Sequence, residues 1–98
     1  MTISLHRLAI AEIDHEVDYY EARQPGLGAR LEDEIDVVLD VIAHFPIAAR
    51  SWRNRADLRV AVLDRFPFTM PYLIVGTNLV VLALAHTSRR PGYWARRR

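Results

Sequence analysis

A chain of 98 residues that is 51% hydrophobic and 26% charged has the size and composition of one folded domain, which excludes a disordered protein. It contains no cysteine, which excludes disulfides and thiolate metal sites, and no apolar run long enough to span a membrane. The net charge is only +1, but residues 1–49 contain ten acidic residues and three arginines, whereas residues 50–98 contain two acidic residues and ten arginines. We therefore expect a cytoplasmic protein, without a secretory signal, whose second half binds an anionic partner.

The first half of the sequence predicts a short strand and then a pair of helices. Alternation of Ile3, Leu5 and Arg7 indicates the strand, in which His6 would face solvent. Two apolar stripes at helical spacing follow, separated by the proline and glycines of residues 24–28. The stripes are Ala9, Ile13, Val17 and Tyr20 in the first helix, and Leu27, Leu31, Ile35, Val38, Leu39, Ile42 and Phe45 in the second. The acidic side chains of the first helix are expected to face solvent or a basic partner: Glu12, Asp14, Glu16, Asp18 and Glu21.

The second half predicts an arginine-rich loop and three antiparallel strands. In the loop, residues 47–57, Trp52 either anchors the loop on the core or stacks on nucleic-acid bases. The strands are predicted at residues 58–62, 68–75 and 79–85, with turns between them. Pro71 lies within the second of these strands and favours a sheet edge or a bulge. Residues 95–98 predict a frayed basic tail.

Together these elements predict an α+β fold with the order β-α-α-β-β-β, in a single domain over residues 1–98. The N-terminal strand and the antiparallel C-terminal strands would form one sheet, packed on an antiparallel helical hairpin. Tyr19 and Tyr20 are expected to pack the first helix on the sheet, and Tyr72 is expected to lie in the core.

Candidate functional residues follow the last strand directly, at His86, Arg89, Arg90 and Tyr93. In RNA cleavage by the 2′-hydroxyl, His86 or Tyr93 would transfer protons, and the two arginines would stabilise the phosphorane charge. A structural His86 that donates to a loop carbonyl fits the pattern equally well. The four histidines lack ligand spacing, so we expect no metal and no cofactor.

Three stretches of the sequence resemble one protein family: EIDHEVDYYEARQPGLGARLEDEIDVVLDVIAHFP, LDRFPFTMPYLI and LALAHTSRRPGYWARR. They are similar to the RelE/ParE superfamily of toxins from bacterial type II toxin–antitoxin modules, over residues 8–96. The resemblance implies a compact β-α-α-β-β-β fold and a cognate antitoxin that neutralises the toxin in a hetero-oligomer. The antitoxin would cover exposed apolar surface on the helical hairpin and the sheet edge, through a segment that folds on binding.

The resemblance leaves the activity open, since RelE-like members cut messenger RNA on the ribosome and ParE-like members inhibit DNA gyrase. The strand positions where RelE-like nucleases carry lysine or arginine fall near Val60, Val62 and Asp64, and the chain has no lysine. We therefore expect a gyrase inhibitor whose target-binding residues are Arg59, Arg65, Arg89, Arg90, Trp94 and Arg96. The alternatives are a degenerate non-toxic binding module and a ribosome-dependent mRNA endoribonuclease with catalytic residues His86, Arg89, Arg90 and Tyr93.

Overall fold

The computed structural model describes residues 1–97, which form two helices and a six-stranded mixed sheet. The elements are β1 (Thr2–Leu5), α1 (Arg7–Arg23), α2 (Leu27–His44), β2 (Arg50–Trp52), β3 (Arg55–Val62), β4 (Phe68–Val75), β5 (Asn78–Val81) and β6 (Ala85–His86). The sheet order is β1-β5-β4-β3-β2, and β6 pairs with β4. β1 runs parallel to β5, and the other pairs are antiparallel. The predicted α+β fold is confirmed, and neither helix has the length and hydropathy to cross a membrane.

A tight turn joins α1 and α2 into the predicted helical hairpin. Gly26 adopts a φ of +91°, which favours glycine, and Glu21 accepts hydrogen bonds from the backbone N–H groups of Gly26 (2.9 Å) and Gly28 (3.1 Å). A Cβ atom at Gly28 would lie 2.7 Å from the carbonyl oxygen of Val17. The close approach of the two helices therefore requires glycine at position 28.

The sheet carries a hydrophobic core on each of its two faces. The face toward the helical hairpin buries Ala9, Leu31, Ile35, Ile42, Ala61, Leu63, Phe68, Met70, Tyr72, Leu79, Val81 and Leu84. The opposite face buries Leu58, Val60, Leu82, Ala83, Ala85 and Trp94. Successive strand residues point to opposite faces, so neighbouring Val60 and Ala61 belong to different cores. Residues after β5 thus cover the face that the helices leave open.

Residues 47–57 contain strand β2 and the beginning of β3, so the prediction of a loop was wrong. Arg53 and Asn54 connect the two strands with φ angles of 49° and 62°. Tight hairpins require such positive φ angles, which glycine usually supplies. The sequence has no glycine here, so the hairpin lacks the usual two-residue signal, and Asn54 is the one residue of the turn that favours a positive φ. Trp52 packs on Trp94 with ring centroids 5.1 Å apart, which supports its anchoring role.

The apolar run at residues 79–85 is divided between β5 and β6, so the prediction of one continuous strand was also wrong. At the interruption, the N–H of Leu82 donates to the carbonyl oxygen of Pro71 (2.8 Å). In a regular antiparallel ladder the N–H of residue 71 would donate back to the carbonyl of Leu82, but proline has no N–H. Pro71 therefore lies inside a central strand at the place where its neighbouring strand breaks.

Three side chains lie elsewhere than expected. His6 caps α1, because its Nδ1 accepts a hydrogen bond from the N–H of Leu8 (3.1 Å). Phe45 and Tyr19 were predicted to pack inward, but they are 64% and 47% exposed. Tyr20, by contrast, packs on the core of the helix-facing side as predicted.

Candidate functional site

The candidate site is built on the C-terminal segment, residues 87–97, which follows β6 without forming a helix or strand. Backbone turns fold it, including hydrogen bonds from Ala95 to Gly92 (2.9 Å) and from Arg97 to Trp94 (3.0 Å). Trp94 is only 3% exposed and packs on Trp52, and a Cβ atom at Gly92 would lie 3.0 Å from the Trp52 ring. The prediction of a frayed tail was therefore wrong for residues 95–97, while Arg98 lies outside the described residues.

A polar cluster fastens the end of this segment to α1, and we call Glu12, Tyr93 and Arg97 the latch. Oε1 of Glu12 accepts hydrogen bonds from the Arg97 guanidinium (2.9 Å) and the N–H of Leu84 (3.2 Å). Oε2 accepts from the same guanidinium (3.0 Å) and from the Tyr93 hydroxyl (2.8 Å). Arg97 also donates to the carbonyl oxygen of Leu82 (2.8 Å). Of the two expectations for the acidic side chains of α1, solvent or a basic partner, the second describes Glu12, because Arg97 pairs with its carboxylate. The Tyr93 hydroxyl and the N–H of Leu84 occupy its other acceptor positions.

The hydrogen bond to Glu12 affects the protonation state of the Tyr93 phenol. Burial, and then the hydrogen bond to Glu12, raises the pKa of Tyr93 from 10 to about 12. The phenol is therefore protonated near neutral pH and is a hydrogen-bond donor to a carboxylate. In this arrangement Tyr93 cannot act as a general base.

His86 is held in place from two sides. Its Nδ1 accepts a hydrogen bond from the N–H of Ser88 (3.0 Å) and lies 2.7 Å from the Ser88 hydroxyl oxygen. Its ring meets Phe68 edge-on, with centroids 5.3 Å apart. These contacts give His86 a structural role in the turn after β6. Within residues 1–97, no three His, Asp or Glu side chains cluster in a way that could hold a metal ion.

Three arginines of the C-terminal segment are exposed, whereas Arg97 is held in the latch. Arg89 lies over the Tyr93 ring, 4.2 Å from its centroid, and both Arg89 and Arg90 are exposed. They border a cleft of about 220 Å³ against the β2–β3 hairpin, which contributes Arg50 to the opposite wall. Among the residues described, none of these three arginines forms an ion pair. Arg96 is exposed in the same segment. The site therefore presents several uncompensated guanidinium groups.

Two other predicted target-binding residues lie apart from this cleft. Arg59 binds backbone carbonyl oxygens of Ala49 (3.0 Å) and Ala56 (3.0 Å), which holds the chain before β2. Arg65 is exposed at the β3–β4 turn, where its N–H donates to Glu34 (2.7 Å) beside a groove next to α2. The structure thus brings Arg89, Arg90, Trp94 and Arg96 together in one segment but not Arg59 or Arg65.

Sequence reasoning missed Glu12 and Arg50 as members of this region. Glu12 is 85 positions from Arg97, and among five acidic residues of α1 no local pattern distinguishes it. Arg50 was assigned to a loop, because the hairpin that positions it lacks glycine. A correct prediction of the hairpin would have placed Arg50 on the edge strand.

Comparisons with known proteins give two findings. A family model described as the ParE toxin of type II toxin–antitoxin system, parDE, matches residues 3–91. Among solved structures, one described as the chromosomal ParDE TA system from P. aeruginosa is similar with a TM-score of 0.73 and 22% identity. The similarity covers 88% of this chain and 95% of that chain, and at this identity it concerns the fold. No curated protein matches the chain.

Proposed function

The chain belongs to the ParE toxin family of type II toxin–antitoxin systems, and from this premise we propose that it arrests bacterial growth by inhibiting DNA gyrase. Family membership implies a toxin and a cognate antitoxin. The gyrase target, and the residues that contact it, are our proposal.

One observation carries the proposal: Arg89 and Arg90 are exposed and without an ion pair within residues 1–97, on a segment that is anchored at several points. Arginine presents a planar group that binds carboxylates and phosphates in a bidentate way. Because the backbone that carries the two arginines is already anchored, less chain has to be ordered when a partner binds. This supports Arg89, Arg90 and neighbouring Arg96 as the target contact, with Trp94 as its buried support.

The same geometry disfavours the ribonuclease alternative. Val60 is buried in the second core, Val62 is apolar and exposed, and Asp64 is acidic, so these strand positions supply no cation for a phosphorane. The Tyr93 hydroxyl donates a hydrogen bond to Glu12, and Nδ1 of His86 accepts one from the N–H of Ser88. In this arrangement neither the Tyr93 hydroxyl nor Nδ1 of His86 is available to accept a proton from RNA.

Supercoiling assays with purified toxin and gyrase test the proposal. We expect inhibition by the wild type, and an increase of at least about ten-fold in the half-inhibitory concentration for the double variant Arg89→Gln, Arg90→Gln. The matched control is Arg30→Gln, which removes an exposed arginine from α2 and should leave inhibition unchanged.

Inducible expression separates the alternatives in cells. Early loss of DNA synthesis in these cells supports the gyrase proposal. In the purified assay, undisturbed supercoiling at high toxin excess excludes it. Early loss of translation with discrete messenger cuts would instead indicate the ribonuclease. Expression without any growth arrest would favour the degenerate binding module.

We further propose that the antitoxin binds the outer face of α2. Val37, Val41 and Phe45 recur there at a spacing of four residues, and with Ile47 they are between 47% and 69% exposed. An apolar stripe of this kind on a monomer is typical of a surface that a partner covers. A helical or extended segment of the antitoxin that folds on binding would bury it.

A further inference from the structure

Glu12 makes more contacts between distant parts of the chain than a surface carboxylate of a helix normally does. Its side chain is 21% exposed and that of Arg97 is 15% exposed. The two side chains form a bidentate pair at 2.9 and 3.0 Å, to which Tyr93 adds a third hydrogen bond at 2.8 Å. Bidentate pairs that are partly buried are stronger and more directional than exposed ion pairs. The latch is therefore a specific connection between α1 and the end of the chain.

A defect in the sheet explains why Arg97 fits at this place. The carbonyl of Leu82 lacks the ladder partner that residue 71 would provide, because Pro71 has no N–H. The Arg97 guanidinium donates to that carbonyl at 2.8 Å. Arg97 thus satisfies a backbone group that the proline leaves open, while its other N–H groups bind Glu12. The carboxylate and the sheet defect together fix the position of Arg97.

Besides the latch, the C-terminal segment is held by its own turns and by contacts near Thr87 and Trp94. It has no strand or helix of its own, and apart from its turns it is held by Thr87 bonded to the Pro67 carbonyl (2.9 Å) and by Trp94 packed on Trp52. Arg89 and Arg90 lie between Thr87 on one side and Tyr93 and Trp94 on the other. Their orientation therefore depends on both ends of the segment being fixed.

We propose that Glu12 is a positioning residue for target binding, which holds the C-terminal segment against α1 so that Arg89 and Arg90 are presented in one arrangement. This role rests on the proposed function, since it concerns the surface that would contact the target. Glu12 of α1 thereby determines how Arg89 and Arg90 are oriented toward the target. Without the hydrogen bonds of Glu12 to Arg97 and Tyr93, the segment would become ordered only when the target binds. The entropy lost in that ordering would lower the affinity for the target.

Amide hydrogen exchange of the variant Glu12→Gln tests, without any target, whether Glu12 holds the C-terminal segment against α1. The amide keeps the size of the side chain but loses its charge and one acceptor oxygen. We expect exchange in residues 87–97 to accelerate by about ten-fold, with little change in β4. Unchanged exchange in the segment would overturn the proposal. The matched control is Asp18→Asn, an exposed carboxylate of the same helix that lines neither cleft beside the segment, and it should change neither region.

A gyrase inhibition assay on the same proteins tests whether Glu12 contributes to target binding. We expect Glu12→Gln to raise the half-inhibitory concentration by about ten-fold at an almost unchanged melting temperature. Accelerated exchange with unaltered inhibition would overturn the positioning role. If the wild type does not inhibit gyrase at all, the proposed function fails, and growth arrest by the same variants then serves as the readout for the latch.

A double-mutant cycle distinguishes positioning from a general loss of stability. If Glu12 acts through its pair, Glu12→Gln combined with Arg97→Gln should impair inhibition no more than either single variant. Arg97→Lys keeps the charge but loses the bidentate geometry, so we expect an intermediate effect. Fully additive losses in the double variant would show that the two residues act independently, and the latch would be rejected.

Discussion

At the scale of single residues, the surroundings of Tyr93 combine three influences on one phenol. Burial and the hydrogen bond to Glu12 favour the protonated form, while the positive charges of Arg89 and Arg97 oppose this. The net result is the raised pKa. The same cluster therefore removes Tyr93 from proton transfer and uses it as a connection between α1 and the C-terminal segment.

This predicts an alkaline titration that is specific to one tyrosine. We expect the phenol of Tyr93 to titrate near 12, and Glu12→Gln to lower this pKa but to leave it above 10, because burial is the larger cause. Since the folded-state pKa is raised, the stabilisation is present below about pH 10 and is lost as the pH rises toward 12. Carbon NMR of the tyrosine Cζ atoms measures the pKa of Tyr93, whose signal is identified by its absence in the variant Tyr93→Phe. A Tyr93 that titrates at 10 or below would contradict the described hydrogen bond.

Arg59 shows how a residue type alone can mislead at this scale. As an arginine near other arginines it was a candidate for target contact. In the structure its guanidinium binds the carbonyl oxygens of Ala49 and Ile47, ten and twelve positions earlier. Its neighbour across the sheet is Tyr72, which belongs to the helix-facing core. Arg59 therefore stabilises the chain before β2 and does not line the cleft that Arg89 and Arg90 border.

At the scale of elements, the helical hairpin depends on the absence of a side chain at position 28. In an exposed helix, Gly→Ala stabilises by about 1 kcal/mol through helix propensity. At Gly28 the added methyl would collide with the Val17 carbonyl at 2.7 Å, which is backbone and cannot move alone. We therefore predict that Gly28→Ala destabilises the protein by about 1 to 3 kcal/mol, as overpacking does.

Urea denaturation measures the change in the free energy of unfolding. A decrease shows that the overlap with the Val17 carbonyl outweighs the better helix propensity of alanine, and an increase shows the reverse. Ala29→Ser, at the exposed neighbouring position, is the control and should change the free energy of unfolding by less than about 0.7 kcal/mol. A Gly28→Ala variant that is more stable than the wild type would show that the helices separate without cost.

At the scale of the whole molecule, the sheet separates two surfaces. The helical hairpin covers one face and the C-terminal segment covers the other. The apolar stripe of α2 lies on the helical side, whereas Arg90 lines the cleft against the β2–β3 hairpin and Arg89 borders both this cleft and one against α1. An antitoxin that bound only α2 would leave the proposed target contact accessible, so we expect the antitoxin to reach around the sheet edge as well.

Antitoxin binding tests the α2 surface directly. Val37 and Val41 are 61% and 47% exposed, so replacing both by serine should leave the fold intact. We expect the affinity for the antitoxin encoded beside the toxin to weaken by about 2 kcal/mol, because two valines no longer contribute apolar burial. Titration calorimetry measures it, with Val75→Ser, which is 50% exposed at the end of β4, as the matched control. Equal affinity of the double variant and the wild type would place the antitoxin elsewhere.

The sequence by itself determined the class of fold and its main elements. The two stripes at helical spacing specified the hairpin, and the alternating strands specified the sheet, because periodicity is a local property that burial imposes on each element. The residues after β6 stood out because several charged and aromatic groups follow one apolar strand. The resemblance to toxins also came from local stretches.

Only the tertiary structure decided how the site is assembled. The β2–β3 hairpin turns on Arg53 and Asn54, whose positive φ angles are maintained by the surrounding sheet and have no glycine to signal them. The pairing of Glu12 with Arg97 joins positions 85 residues apart, and no local pattern selects one carboxylate among several on a helix. Contacts between distant residues arise from packing and topology, so the polar latch and the division of the last strand could be seen only in the folded chain.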